Sequence, residues 1–235
     1  MGNYKPYPFK IPFTRPVTIP FKRPFDVADD CVLCLVPEIR TKWFDQSING
    51  LNGVIDGATK VDGRFGMGLL FDGINDNVSI PSLAALGLID NTKGSILIWI
   101  KHTEAQGGTV GIIKFPGWKP TIRLVANEMI VVWVDSTGMS GASGNRTLTH
   151  SITTGEWAHI GFTWNSDNYK FYLNGTKMEE SDGCAFGAIL NGDLSLGSET
   201  PSNWFKGIID ELEILNRALT ADEMKAVYDM GKPEG

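Results

Sequence analysis

The sequence predicts an all-β protein: two packed antiparallel sheets, one short C-terminal helix and an extended N-terminal arm. Three observations carry this expectation. From Cys31 onward, eleven short β-rich runs are separated by Gly, Asn and Asp, with no helical periodicity between them. Two of those runs alternate cleanly with a period of two, as a strand with one buried face must. A single helix start signal occurs, close to the C-terminus.

The runs are CVLCLV (31–36), GLLFDG (68–73), NVSI (77–80), SILIWIKH (95–102), VGIIKF (110–115) and TIRLVA (121–126). MIVVWVD (129–135), WAHIGFTW (157–164), YKFYLN (169–174), DLSLGS (193–198) and GIIDELEIL (207–215) complete them. In YKFYL, residues Tyr169, Phe171 and Leu173 share one face; in WAHIGFTW, Ala158, Ile160, Phe162 and Trp164 do. Asn174-Gly175 is a hairpin signal, because both central positions of that turn need positive φ. Trp133, Trp157 and Trp164 are expected in the core. Thr220-Ala-Asp-Glu223 has the spacing of a capping box. Met224, Val227 and Tyr228 follow at helical intervals, and Gly231 marks the stop, so a short helix should pack against a sheet edge.

The arm, residues 1–25, differs from the body at 26–235. Prolines at 8, 12, 16, 20 and 24 exclude a helix. In an extended chain, Phe9, Ile11, Phe13, Val17, Ile19, Phe21 and Phe25 fall on one side, interrupted by Arg15 and Arg23. The prolines fall on the other side, so every missing amide donor lies on one edge. Such a segment can add to a sheet through its intact edge while the opposite edge is blunted. The arm carries five basic residues and no acid, whereas the body carries sixteen basic against twenty-seven acidic residues, a net charge of −11. That asymmetry points to docking on copies of itself or other subunits of an assembly. It argues against nucleic acid, which calls for a denser basic patch on a basic domain. No apolar run of about 18 residues predicts a membrane span, and MGNYKPYPFK has no apolar core of a secretory signal.

Three cysteines are present, at 31, 34 and 184. The CVLC pair has no second half to complete a zinc site. Regular alternation sets Cys31 and Cys34 on opposite faces of their strand, which makes them core cysteines, and the count argues against a disulfide framework.

Three separated stretches resemble a known family. WFDQSINGLNGVIDGATKVDGRFGMGLLFDGINDNVSIP resembles the opening of laminin-G-like, concanavalin A-like jelly-roll domains. WAHIGFTWNSDNYKFYLNG is similar to their central hairpin, and FKGIIDELEILNRALTADEMKAVY to their closing strand and helix. The resemblance runs from about residue 31 to 230 and implies a two-sheet jelly-roll sandwich. It does not cover the arm, and it implies little about activity, since this fold hosts lectins, adhesion modules, enzyme appendages and virion proteins.

Glucanases on this sandwich use carboxylates spaced E-x-D-x-x-E along one strand, about 5–9.5 Å apart. The nearest stretch here, Asp210-Glu211-Leu212-Glu213, is out of register with that pattern. Glu211 and Glu213 are expected to share a solvated face, and no catalytic residue is assigned. His102, His150 and His159 lack metal-site spacing, and His159 reads as a satisfied structural residue. The resemblance implies a structural calcium ion held by Asp45 and Asp210 with loop carbonyls, oxygen ligands that suit this cation. The rival role for both is local: Asp45 in an Asx-turn, Asp210 accepting from backbone amides. Trp118, stiffened between Pro116 and Pro120, is the candidate contact for a glycan or a protein partner.

The arm and charge asymmetry favour a non-enzymatic structural protein, such as a capsid-decorating or tail-associated component of a virion or other extracellular assembly. A carbohydrate-binding or adhesion module of lectin type is the alternative.

Overall fold

The computed structural model describes residues 31–231 apart from 40–41, 46, 48, 82, 84–85, 105–106, 117–119, 126–128, 135–145, 167, 183–191 and 200–202. The arm with Phe9, Ile11, Phe13, Val17, Ile19, Phe21 and Phe25, together with Trp118 and Cys184, lies outside the described residues.

Sixteen strands are described, and every pairing between them is antiparallel. They are β1 (Cys31–Ile39), β2 (Lys42–Asp45), β3 (Gly53–Asp56), β4 (Thr59–Asp62), β5 (Met67–Asp72), β6 (Asn77–Ile80), β7 (Lys93–His102) and β8 (Thr109–Lys114). Then come β9 (Thr121–Val125), β10 (Met129–Val134), β11 (Arg146–Ser151), β12 (Ala158–Asn165), β13 (Asn168–Leu173), β14 (Thr176–Ser181), β15 (Leu194–Leu196) and β16 (Lys206–Leu215). One layer runs β11-β10-β9-β8-β15-β6-β3 and the other β1-β16-β7-β12-β13-β14, with β2 bridging β3 and β1. The eleven expected runs are all strands. The jelly-roll sandwich expected from the resemblance is the architecture observed.

The two layers bury their facing side chains in one apolar core. Ile122, Leu124, Ile130 and Val132 of the first layer meet Ile98, Ile160, Phe162 and Phe171 of the second. The alternation expected in β12 and β13 holds: Ala158, Ile160, Phe162, Trp164, Tyr169 and Phe171 are buried. At the hairpin between β13 and β14, Asn174 and Gly175 both take positive φ, 51° and 74°.

Helix α1 (Ala221–Met230) starts at the expected capping box. The Thr220 amide donates to Glu223 Oε2 at 2.8 Å, and the Glu223 amide donates to Thr220 Oγ1 at 3.3 Å. Its approach is tied down by buried Ser95 of β7, whose Oγ donates to the Arg217 carbonyl at 2.7 Å and accepts from the Leu219 amide at 2.9 Å. The helix contacts the edge strand β14, as expected, and also reaches over the outer face of its layer. Met224 and Val227 pack with Leu97, Tyr172 and Leu215 into a second apolar cluster, on the outer face of the β16-β7-β12-β13 layer. This explains why β7 and β12 are buried on both faces. Gly231 ends the helix with φ −86°, so its role is not left-handed backbone. A Cβ there would run into the Trp99 ring, and into Phe65 Cζ at 2.7 Å.

Two bulges overturn expectations that assumed strict alternation. In β1 the register against β16 slips between Cys31 and Leu33. The extra residue returns Cys31 and Cys34 to the same face, with Cα atoms 6.5 Å apart, and they are joined as a disulfide. The cysteines are buried as expected but bonded to each other. In β16 the register against β7 slips between Asp210 and Glu213, with Glu211 at φ 46°. Glu213 therefore lands opposite Cys34 and Leu97 and is 3% exposed, not part of a solvated row.

Candidate functional site

The two outer faces of the sandwich differ in chemistry. The helix-covered face is built around Trp99. In the β16-β7-β12 layer, Asp210 and His159 both stand opposite Trp99. Tyr228 of α1 stacks on Trp99 with ring centroids 5.6 Å apart, His159 lies 4.9 Å from Trp99, and Phe65 meets it edge-on at 6.0 Å. The Arg64 guanidinium sits 4.8 Å from the Trp99 ring centroid and donates to the Gly231 carbonyl. Asp210 accepts from the amides of Arg64 at 2.7 Å, Phe65 at 2.9 Å and Glu211 at 2.9 Å. It thereby fixes the β4–β5 turn at the point where β16 changes neighbours from β5 to β1.

Asp45 has a similar occupation. Its carboxylate accepts from the amides of Cys34 at 2.9 Å, Ser47 at 2.9 Å and Leu51 at 2.8 Å, and from Ser47 Oγ at 2.7 Å. Asp45 and Asp210 lie on β2 and β16, with β1 between them. Their described surroundings supply hydrogen-bond donors where calcium takes several further oxygen ligands. Among the described residues, no group of three or more His, Cys, Asp or Glu is gathered to hold a metal ion. Both carboxylates accept from backbone amides at the positions described. Nor do Asp210, Glu211 and Glu213 form a carboxylate pair facing a groove: the first is spent on amides, the second occupies the bulge and the third is buried.

Burial gives the Trp99 cluster a pH signature. It pushes Asp210 up from 3.8 to about 7 against the pull of its three amide donors, and it pushes His159 down from 6.5 to about 3. His159 Nδ1 has no hydrogen-bond partner among the described residues, so this histidine is a neutral ring in an aromatic stack and not the satisfied residue expected. Between pH 6.5 and 3 the unfolded chain binds a proton at His159 that the folded chain refuses, so acidification costs about 1.4 kcal/mol per pH unit. Asp210 acts oppositely: its stabilising contribution is full below about 3.8 and is lost as pH rises to about 7. The two slopes offset each other in the parent. Replacing His159 with Gln removes one of them. Urea melts are expected to show the variant gaining about 3 kcal/mol on the parent between pH 6.5 and 4; a constant difference across that range contradicts the neutral buried ring.

The other outer face is polar. Val54, Ser79, Ser195, Lys114, Thr121, Trp133 and Thr147 stand opposite one another across β3, β6, β15, β8, β9, β10 and β11. Lys114 and Thr121 are out of step with the neighbouring core residues Ile113 and Ile122, whereas the side chain of Trp133, expected in the core, lies outside the described residues. Trp164 is in the core as expected, whereas Trp157 is only half-buried just ahead of β12. Val54 is 55% exposed, and Ser79, Lys114 and Ser195 are half-buried. Ser79 Oγ donates to Asp193 at 3.0 Å, and Ser195 Oγ lies 2.9 Å from Ser198 Oγ. The connection that contains Trp118 leaves this row between Lys114 and Thr121.

Beside the row, Arg123 of β9 makes an ion pair with Glu199, whose side chain is only 3% exposed. Gly111 of β8 makes room for it: a Cβ there would lie 2.6 Å from Glu199 Cβ. Lys114 Nζ donates to the Glu199 carbonyl at 2.8 Å, and the amides of Gly111 and Glu199 both donate to the Asn203 carbonyl, at 3.2 and 3.3 Å. Burial raises the Glu199 pKa, partly offset by Arg123 and Lys114. Among the described residues no helix lies on this face. None of these residues was singled out from the sequence. The period-two pattern of TIRLV marks Thr121 and Arg123 as outward, but Glu199 comes from a loop that carries no pattern.

Solved structures with this architecture include domain 4 of a GH43 extracellular arabinanase from Geobacillus stearothermophilus, solved with arabinotriose. It is 24% identical, with 75% of this chain and 82% of that one covered and a TM-score of 0.59. The binding domain of Paraclostridial Mosquitocidal Protein 1 is 18% identical, with 86% of this chain and 52% of that one covered and a TM-score of 0.70. The ligand-binding domain of botulinum neurotoxin serotype D, in complex with N-acetylneuraminic acid, is 15% identical, with 85% and 50% covered and a TM-score of 0.67. This chain spans about half of each toxin structure. These likenesses are of fold. No curated protein matches the sequence. The family model described as the concanavalin A-like lectin/glucanases superfamily matches residues 72–225, and the chain belongs to that family.

Proposed function

We propose that this protein is a carbohydrate-binding module of lectin type, without catalytic machinery, and that glycan lies on the polar outer face of the β8–β11 layer. The observation that carries the reading is the in-register row of half-buried hydroxyl and amine groups, Ser79, Ser195 and Lys114, which ends at the buried Thr121 beside the Arg123–Glu199 pair. Sugars are recognised by donors and acceptors held on a rigid scaffold, and a row on paired strands supplies that rigidity. The opposite face, closed by α1 and the Trp99 stack, offers no such surface. Support also comes from the arabinanase domain and the toxin domain, whose solved structures hold arabinotriose and N-acetylneuraminic acid. The assembly role expected for the arm rests on residues outside the described set, so the binding reading has the stronger support.

Glycan-array screening of the purified protein, followed by calorimetry on the strongest hit, tests this. Binding without release of new reducing ends is expected, and Ser195→Ala and Lys114→Met should each weaken it about tenfold, the worth of one good hydrogen bond. Trp118→Ala belongs in the same series, since its connection springs from the row. A folded protein that binds no glycan contradicts the proposal.

A further inference from the structure

The Arg123–Glu199 pair narrows the ligand class, on the premise that the glycan-binding reading above is right. Glu199 Oε1 is engaged by Arg123, whereas Oε2 is buried and has no hydrogen-bond partner among the described residues. Thr121 Oγ1, at the neighbouring register position to Lys114, is a second buried oxygen without a partner there. An ionised carboxylate oxygen only accepts, so whatever completes it must bring a hydrogen. Leaving such an atom unpaired in a buried place is costly, which makes it a marker of an absent donor. Within the same few residues, Lys114 supplies an ammonium and Arg123 a guanidinium already balanced by Glu199.

We infer that the site takes an uncharged sugar presenting adjacent hydroxyl groups, one donating to Glu199 Oε2 and its neighbour accepting from Lys114, and that it discriminates against acidic glycans. A hydroxyl donates and accepts at once and carries no charge. A carboxylate, sulfate or phosphate brings only acceptors and cannot supply the hydrogen that Glu199 Oε2 lacks.

Calorimetric titration of the unaltered protein with arabinotriose and the neutral members of an array, and in parallel with N-acetylneuraminic acid and a trigalacturonate, tests the inference without depending on any variant. Neutral sugars are expected to bind at least tenfold more tightly than acidic ones. Glu199→Gln, checked for folding by its melting curve, should lose at least tenfold for the neutral ligand and narrow the gap to the acidic probes. Preference for the acidic probes, or neutral binding unchanged in a folded Glu199→Gln, overturns the inference while leaving carbohydrate binding intact. No binding to either class removes both.

Discussion

Replacing Trp99 with alanine is expected to destabilise the domain by about 4 kcal/mol. Trp99 is 3% exposed and touches a group from each element packed on its face: Phe65 and Arg64 from the β4–β5 turn, His159 from β12, and Tyr228 from α1. Removing the indole leaves a cavity under the helix and takes away the ring on which Arg64 rests. Collapse cannot refill the space, because Asp210 holds the turn by its amides and the capping box with Ser95 holds the start of α1. Trp99→Phe should cost less than half as much, since it keeps a ring against both Tyr228 and His159. Denaturant melts at pH 7 measure both; equal losses for the two variants would contradict the stacking account.

Replacing Arg123 with methionine is expected to cost about 3–5 kcal/mol, because the change strands a buried carboxylate. Methionine keeps most of the length and apolar stem of arginine, so the loss isolates charge from packing. The double variant Arg123→Met with Glu199→Gln should recover a large part of the loss, as no charge is then left unpaired. The loop that carries Glu199 is fastened to the sheet by Lys114 and by the Gly111 amide, so the single variant should also expose residues 198–204 to proteolysis. If the double variant is as unstable as the single one, the pair is held by packing and its electrostatic role is refuted.

The three stretches that carried the family resemblance come from distant parts of the chain, yet the fold brings them to one place. Arg64 and Phe65 belong to the first, His159 to the second, and Asp210 and Tyr228 to the third, and all of them gather around Trp99. A constellation in which each member needs the others leaves a legible pattern, so the fold could be read with no contact known. The strands KWFD, GVID, TKVD, RTLTHS and TKMEES carry no such mark. They are bridging, short or edge strands with little apolar alternation, and β14 is exposed along most of its length.

A bulge reverses the face that parity alone assigns to the residues beyond it. One extra residue near Val32 brought Cys31 and Cys34 to the same side, and another after Asp210 moved Glu213 into a buried position. Neither slip has a sequence mark, because at both places the bulged residue is an ordinary one. The polar face was half legible. Alternation in TIRLV fixes Thr121 and Arg123 as outward, whereas their meeting with Glu199, Ser195 and Lys114 depends on pairing β8 with both β9 and β15. Strand order of that kind is a long-range property that no local pattern records.

The most direct measurement is a backbone-amide NMR titration of the full chain with the neutral oligosaccharide selected on the array. The account predicts shift changes clustered at Ser79, Lys114, Thr121, Arg123, Ser195 and Glu199, with the amides of Trp99, His159 and Asp210 unmoved. Saturable changes confined to the α1 side or to the N-terminal arm, with the polar row silent, would contradict it.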